Sequence, residues 1–177
     1  QYPRLVIGEI SGYGHQDARV GYDAIVQAEA GFTYLNGNTT SDYHKMPVAL
    51  VDLLAAHQLK QGLLMALWQR DRSGEGAVVR VNLLDAALAA LANQATNYLV
   101  GGVVPQPMGS EHPNIVPYGS IYRTADGAAV VLAVGTDKQF AALAEILAWS
   151  LPVQWSTNAL RVQHRAEVNA VLGDLIA

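Results

Sequence analysis

The stretch between Pro47 and Gly74 constrains this chain more than any other. Leu53, Leu54, Leu59, Leu63, Leu64, Leu67 and Trp68 recur at three- and four-residue steps, which predicts a helix over 48–72. Its flanks agree. Pro47 stands just before the start, Gly74 follows the last turn, and Arg70 and Arg72 sit at the end where cations suit the helix dipole. A short run rich in β-formers stands on each side. Residues 5–10 are mostly apolar and end in Ser11-Gly12-Tyr13-Gly14, which predicts a buried strand entering a glycine-rich turn. Residues 77–83 read as a second strand. Short strands around a long helix place the chain in the α/β class.

The remaining segments fill in around these. Residues 24–30 predict a short helix stopped at Gly31, and 36–47 an exposed loop. Residues 84–99, rich in Ala and Leu, predict a second long helix able to pack closely. The composition shifts at Gly101, and the run to Gly119 holds four prolines and four glycines, as a linker or active-site loop would. The expected division is therefore 1–100 and 101–177. In the second part, 120–124, the turn Ala125-Asp126-Gly127 and 128–134 carry a hairpin signature. Thr136 or Asp137 then caps a helix containing Phe140, Leu143, Ile146, Leu147 and Trp149. Residues 156–165 are less regular, and 166–176 begin another amphipathic helix.

Composition narrows the function. A chain of 177 residues, 51% apolar and only 15% charged, can bury a core and is not disordered. Charge this sparse suggests apolar surface meant to be covered. Eleven Lys and Arg against fifteen Asp and Glu leave a net charge of −4, so nucleic acid and anionic membranes are not expected partners. The absence of cysteine excludes disulfides, thiolate metal sites and a Cys nucleophile. No signal or membrane-spanning pattern is present, so a cytoplasmic location is expected. The chain has no initiator Met, and the expectation is that it begins partway through a larger polypeptide.

Three groups of residues are candidates for chemistry. Asp52 opens the long helix, where the dipole stabilises an anion and suits a carboxylate nucleophile; a plain helix cap is the alternative. Tyr22, in Arg19-Val20-Gly21-Tyr22-Asp23, is placed to donate to a carbonyl or carboxylate, or is a tyrosine with a buried ring and a wet hydroxyl. His44, His57, His112 and His164 share no metal-ligand spacing, and no metal site is expected. Neither a P-loop nor a Gly-x-Ser-x-Gly elbow occurs.

Taken in order, the motifs resemble family III of the CoA-transferases, which also bears the names L-carnitine dehydratase and bile-acid-inducible protein F. The resemblance rests on five blocks. The first is Ile10-Ser11-Gly12-Tyr13-Gly14 with Arg19-Val20-Gly21-Tyr22-Asp23, Gln27 and Gly31. Pro47 to Asp52 leads into Gly62-Leu63-Leu64-Met65-Ala66-Leu67 and Arg70. Ser73-Gly74-Glu75-Gly76 precedes Val79, Val81 and Leu83-Leu84-Asp85-Ala86. His112-Pro113-Asn114-Ile115-Val116-Pro117-Tyr118-Gly119 precedes Thr124-Ala125-Asp126-Gly127. Trp155-Ser156-Thr157-Asn158, Arg161-Val162 and His164-Arg165 close the series.

The resemblance implies a fold and a reaction. The chain would be the central part of that fold: the end of the large Rossmann-like domain, long connecting helices, and a smaller α/β domain with a hairpin. Asp52 falls at the family's nucleophile. It would take the acyl group of an acyl-CoA as a mixed anhydride, then hold CoA as a thioester until a small carboxylic acid removes it. Coenzyme A is thus part of the substrate, and no permanent cofactor is implied. Tyr22 falls at a substrate-contacting position. The racemase branch of the family has His there, and a phenol is a poor proton shuttle at neutral pH. That difference favours transfer over a 2-methylacyl-CoA racemase or epimerase. Arg19, Gly109, Ser110 and His112 fall at coenzyme A contacts or in the loop that shields the nucleophile. The family forms interlocked homodimers, so a homodimer is expected. A third reading is an inactive fragment or oligomerisation module.

Overall fold

The computed structural model describes residues 2–177. The chain divides into two compact units, the first ending at Pro107 and the second beginning at Met108.

The first unit is built on one parallel strand pair. Strand β1 (Val6–Ser11) lies beside β2 (Ala77–Asn82) in a register that sets Val6 against Ala77 and Ser11 against Asn82. Parallel neighbours need a long connection between them. Helices α1 (Asp23–Glu29), α2 (Phe32–Leu35) and α3 (Leu50–Ser73) supply it. Helix α3 ends at Gly74, which takes the left-handed conformation at φ 77°. The helix lies directly on the sheet: a Cβ added to Gly8 would touch Leu59 and Leu63, and one added to Gly62 would strike Val79.

The sheet departs from the expected buried strand. Ile7 and Val78 stand opposite each other on the face away from α3 and are 39% and 44% exposed. On the same face Arg80 donates to Glu9 at 2.7 Å. Parallel sheets are ordinarily covered on both sides, and among the described residues no element covers this one. The core lies on the other side of the unit, where Val26, Ala30, Val51, Ala55, Leu83, Ala86 and Ala87 pack together.

The expected single helix over 84–99 is broken in two. The structure has two helices, α4 (Leu83–Ala90) and α5 (Ala92–Leu99), separated by a sharp turn with Ala92 at φ 46°. Alanine rarely adopts this conformation, and the stretch contains neither glycine nor proline to announce it. Apolar periodicity therefore runs unbroken through a real break.

The second unit is a hairpin with helices on it. Strand β3 (Tyr118–Arg123) pairs antiparallel with β4 (Ala129–Ala133) across a turn in which Gly127 has φ 82°. Helix α6 (Asp137–Ile146) starts on Thr136, as expected, but stops short of Trp149. A 3-10 turn at Val153–Trp155 leads to α7 (Asn158–Gln163) and α8 (Arg165–Ile176). The core holds Val116, Tyr122, Val134, Phe140, Trp155, Val168 and Leu172. Trp149 completes it, edge-on to Phe140 at 5.9 Å and tilted on Trp155 at 5.5 Å.

Arg161 is wholly buried in this unit. It donates to the carbonyls of Val116 (2.9 Å) and Trp155 (3.0 Å) and to Asp137 (2.8 Å), with Phe140 beneath its guanidinium at 4.1 Å. A buried cation needs such full pairing. Asn158 adds further ties, accepting from the N–H of Val116 and donating to the Asn114 carbonyl. The closing sequence motif thus has a folding role: it joins the 114–116 segment to α6 and α7. Among the described residues no helix is long and apolar enough to cross a membrane, and no cluster of metal-ligating side chains occurs.

Candidate active site

The glycines of the first motif make a backbone crossing. A Cβ added to Gly21 would lie 2.3 Å from the Gly12 Cα, and one added to Gly12 would lie 2.5 Å from the Gly21 Cα. Only residues without side chains let the two strands of backbone pass at this distance. The crossing sends the chain from the end of β1 back under itself, so that Tyr22 and Asp23 begin α1 beside the start of α4. The Gly12 carbonyl accepts from the N–H of Leu84 at 3.1 Å, which ties the start of α4 to the end of β1.

Helix α3 has no cap of its own. Its N-cap is Ala49, which offers no side-chain hydrogen bond. The carboxylate of Asp23 fills the role from 28 residues upstream, Oδ1 accepting from the N–H of Val51 at 2.8 Å. The other oxygen, Oδ2, accepts from Gln27 Nε2 at 2.7 Å. Gln27 Nε2 also donates to the Val48 carbonyl at 3.1 Å, and its Oε1 accepts from the N–H of Met46 at 2.9 Å.

This arrangement sets the relation between the two principal candidates. Tyr22 precedes Asp23, and Asp52 follows Val51, so each lies one residue from a single 2.8 Å hydrogen bond. Asp52 is the third residue of α3, in the first turn and exposed. Asp23 does the capping, so the Asp52 carboxylate is left for other work, and among the described residues no hydrogen bond holds it. Tyr22 is also exposed, 65% of its surface open, which removes the alternative of a buried ring. The helix dipole favours negative charge at this point. A carboxylate at such a helix start can attack an electrophilic carbonyl, and a phenol can donate to a carboxylate.

Arg19 lies in the loop between β1 and α1. Its Nε donates to both oxygens of Asp17 (3.2 and 3.0 Å), its guanidinium lies 3.7 Å above the Tyr13 ring, and Glu29 is 3.5 Å away. A cavity of about 660 Å³ elsewhere in this unit is lined by Leu35, Leu88, Tyr98, Leu99 and Val104. It holds no carboxylate or histidine, so it offers no nucleophile.

Gly109, Ser110 and His112 belong to the second unit. Their loop is tied down from α8: Arg165 donates to the carbonyls of His112 (2.9 Å) and Pro113 (2.8 Å) and to Glu111 (3.0 Å). Asn169 donates to the other Glu111 oxygen at 2.7 Å. The His112 ring accepts from the N–H of Asn114 at its Nδ1, 3.1 Å away. Burial, and secondarily the Arg165 charge, holds the imidazole below its ordinary value. The structure thus brings Tyr22, Asp52 and Arg19 into one unit and Gly109, Ser110 and His112 into the other. Asp23, Gln27 and Arg165 build these sites without having been assigned roles from sequence. The signal for the first two is the i, i+4 spacing of a carboxylate and an amide at a helix start.

The comparisons with known proteins agree with one another. Residues 1–177 match the sequence model of the family described as CoA-transferase family III. The succinate–glutarate CoA-transferase of Agrobacterium fabrum is 38% identical over 96% of this chain and 44% of its own length. The succinyl-CoA:glutarate CoA-transferase of Mus musculus is 35% identical over 96% of this chain and 40% of its own. Among solved structures, a CAIB/BAIF family protein from Brucella suis superposes with a TM-score of 0.75 at 34% identity. The match covers 98% of this chain and 47% of that one. A hypothetical protein from Mycobacterium tuberculosis gives 0.81 at 28% identity, covering 98% and 48%. The chain spans less than half the length of these relatives.

Proposed function

This chain belongs to CoA-transferase family III, and on that premise we propose that it takes part in moving CoA from an acyl-CoA to a carboxylic acid, with Asp52 as the nucleophile. The observation that carries the assignment is the start of α3, where Asp23 supplies the cap and Asp52 is left exposed in the first turn.

In the proposed reaction an Asp52 oxygen bonds to the thioester carbon. The carbon–sulfur bond breaks, giving a mixed anhydride and CoA thiolate. The thiolate attacks the Asp52 carbonyl and expels the donor acid, which leaves an aspartyl-CoA thioester. The acceptor carboxylate attacks this thioester and releases thiolate again. The thiolate then attacks the acceptor carbonyl of the new anhydride, forming the product acyl-CoA and restoring Asp52. Water would hydrolyse each intermediate, so the site has to be closed while it turns over.

Tyr22 donates its phenol proton in a hydrogen bond to the acyl or acceptor carboxylate. Arg19, whose side chain is exposed although paired with Asp17 and Glu29, contributes a coenzyme A contact. Gly109, Ser110 and His112 contribute further coenzyme A contacts. The relatives named for succinate and glutarate favour short dicarboxylic acids as substrates. A homodimer and a cytoplasmic location belong to the same reading, on the family resemblance.

The test is chemical trapping in the full-length protein. Incubation with succinyl-CoA and hydroxylamine should convert Asp52 to a hydroxamate, located by peptide mass, and Asp52→Ala should abolish both label and activity. An unlabelled Asp52 with activity surviving in Asp52→Ala would overturn the assignment.

A further inference from the structure

Gln27 has no exposed surface, and the core around it is otherwise apolar: Val26, Ala30, Val51 and Ala55. Burying an amide is costly unless each polar atom is paired, and a leucine would fill similar volume at no such cost. The amide is fully engaged, and every bond fixes the position of another segment. It holds the backbone at Met46 and Val48, immediately before α3, and it holds Asp23.

We propose that Gln27 is a positioning residue for the Asp52 carboxylate, its buried amide locking Asp23 and the 46–48 backbone together so that the first turn of α3 has one location. The proposal rests on Asp52 being the nucleophile. Helix ends fray, and α3 lacks a local cap to prevent it. Asp23 can replace that cap only while its own side chain is held in one orientation. The 2.7 Å bond from Gln27, one turn along α1, does this. The two bonds to Met46 and Val48 fix the approach to α3 from the other side. A nucleophile displaced by about 1 Å loses roughly 100-fold in rate, so the effect should fall on the chemical step.

The experiment compares Gln27→Glu with wild type in the full-length protein. Glutamate keeps the shape but turns an oxygen toward Asp23 and the Val48 carbonyl in place of a donor. The expected result is a kcat about 100-fold lower, a KM for succinyl-CoA within about threefold, and equally slow hydroxylamine trapping at Asp52. Gln27→Met removes the same bonds without adding charge and should act in the same direction. Val81→Ala, against the same core, controls for lost stability: at a matched fall in Tm it should trap at the wild-type rate.

If wild-type Asp52 is labelled and both Gln27 variants label as fast, the positioning role is overturned while the nucleophile stands. If Val81→Ala slows trapping as much as the Gln27 variants do, the role is merely structural and the proposal fails. If wild-type Asp52 is never labelled, the nucleophile itself fails and the proposal with it. Should the Gln27 variants not fold, Asp23→Asn decides. It keeps an acceptor for Val51 but sets an amide against the Gln27 amide; slow trapping supports the proposal and wild-type trapping overturns it.

Discussion

Helix α6 starts on Thr136, whose hydroxyl accepts from the N–H of Gln139 at 3.2 Å while Gln139 Oε1 accepts from the N–H of Thr136 at 3.0 Å. Helix α3 starts on Ala49 and borrows the carboxylate of Asp23 from 28 residues away. The first start is complete within four residues. The second exists only when β1, the glycine crossing and α1 are already in place. A local cap makes a helix end self-sufficient, whereas a remote cap makes its position depend on another segment. That dependence suits a site, because it fixes Tyr22 relative to Asp52, and it carries no advantage where only a fold is needed.

The sharpest way to break the contrast is Gly21→Ala. The added methyl would meet the Gly12 Cα at 2.3 Å, and backbone cannot move aside as a side chain can. Overpacking of this kind costs about 3 kcal/mol or more. Urea denaturation of the full-length protein should show that loss, together with loss of CoA transfer, since Tyr22 and Asp23 lie directly after the crossing. Asp23→Ala should come next, at about 2 kcal/mol, the upper range for a lost cap. It leaves the N–H of Val51 unpaired and frees one bond of Gln27 as well. Thr136→Ala is the counterpart on the other side, at about 1 kcal/mol. The expected outcome is a lower urea midpoint with kcat unchanged, in contrast to Asp23→Ala, where both fall.

The same contrast decides what could be read from sequence. Thr136, the Asp126-Gly127 turn and the α3 periodicity are short-range signals, and each predicted element is present. The turn at Ala92 has no local signal, so the expected long helix is two. The exposed face of the β1–β2 pair was illegible for another reason. Its apolar residues record what the pair is built to be buried against, and Ile7 and Val78 have no such covering among the described residues. At the site, the position of Asp52 at a helix start was legible. The identity of its cap was not, because residues 23 and 51 meet only through tertiary structure. The closing motif ran the other way: Asn158 and Arg161 stood out in sequence, and they turn out to hold a core together.

The smallest expected effect probes the second unit's own long-range tie. His112 sits in a loop fastened by Arg165, and its Nδ1 accepts from the N–H of Asn114. Burial of the ring, and secondarily the Arg165 guanidinium, penalise the protonated form, which is why its pKa lies below the ordinary 6.5. Between that lowered value and 6.5 the unfolded chain binds more protons than the folded one. Stability is therefore complete above 6.5 and declines as pH falls through the window. Asp17, Asp42 and Asp126, whose values lie below the usual 3.8, act only further down, losing their contribution as pH falls through their own folded values. Urea midpoints measured at about pH 7.5 and about pH 5.5 should thus separate the histidine from the carboxylates. In His112→Gln the difference between the two midpoints should shrink, because glutamine can accept from Asn114 and does not titrate in this range. An unchanged difference would mean that another group senses the pH.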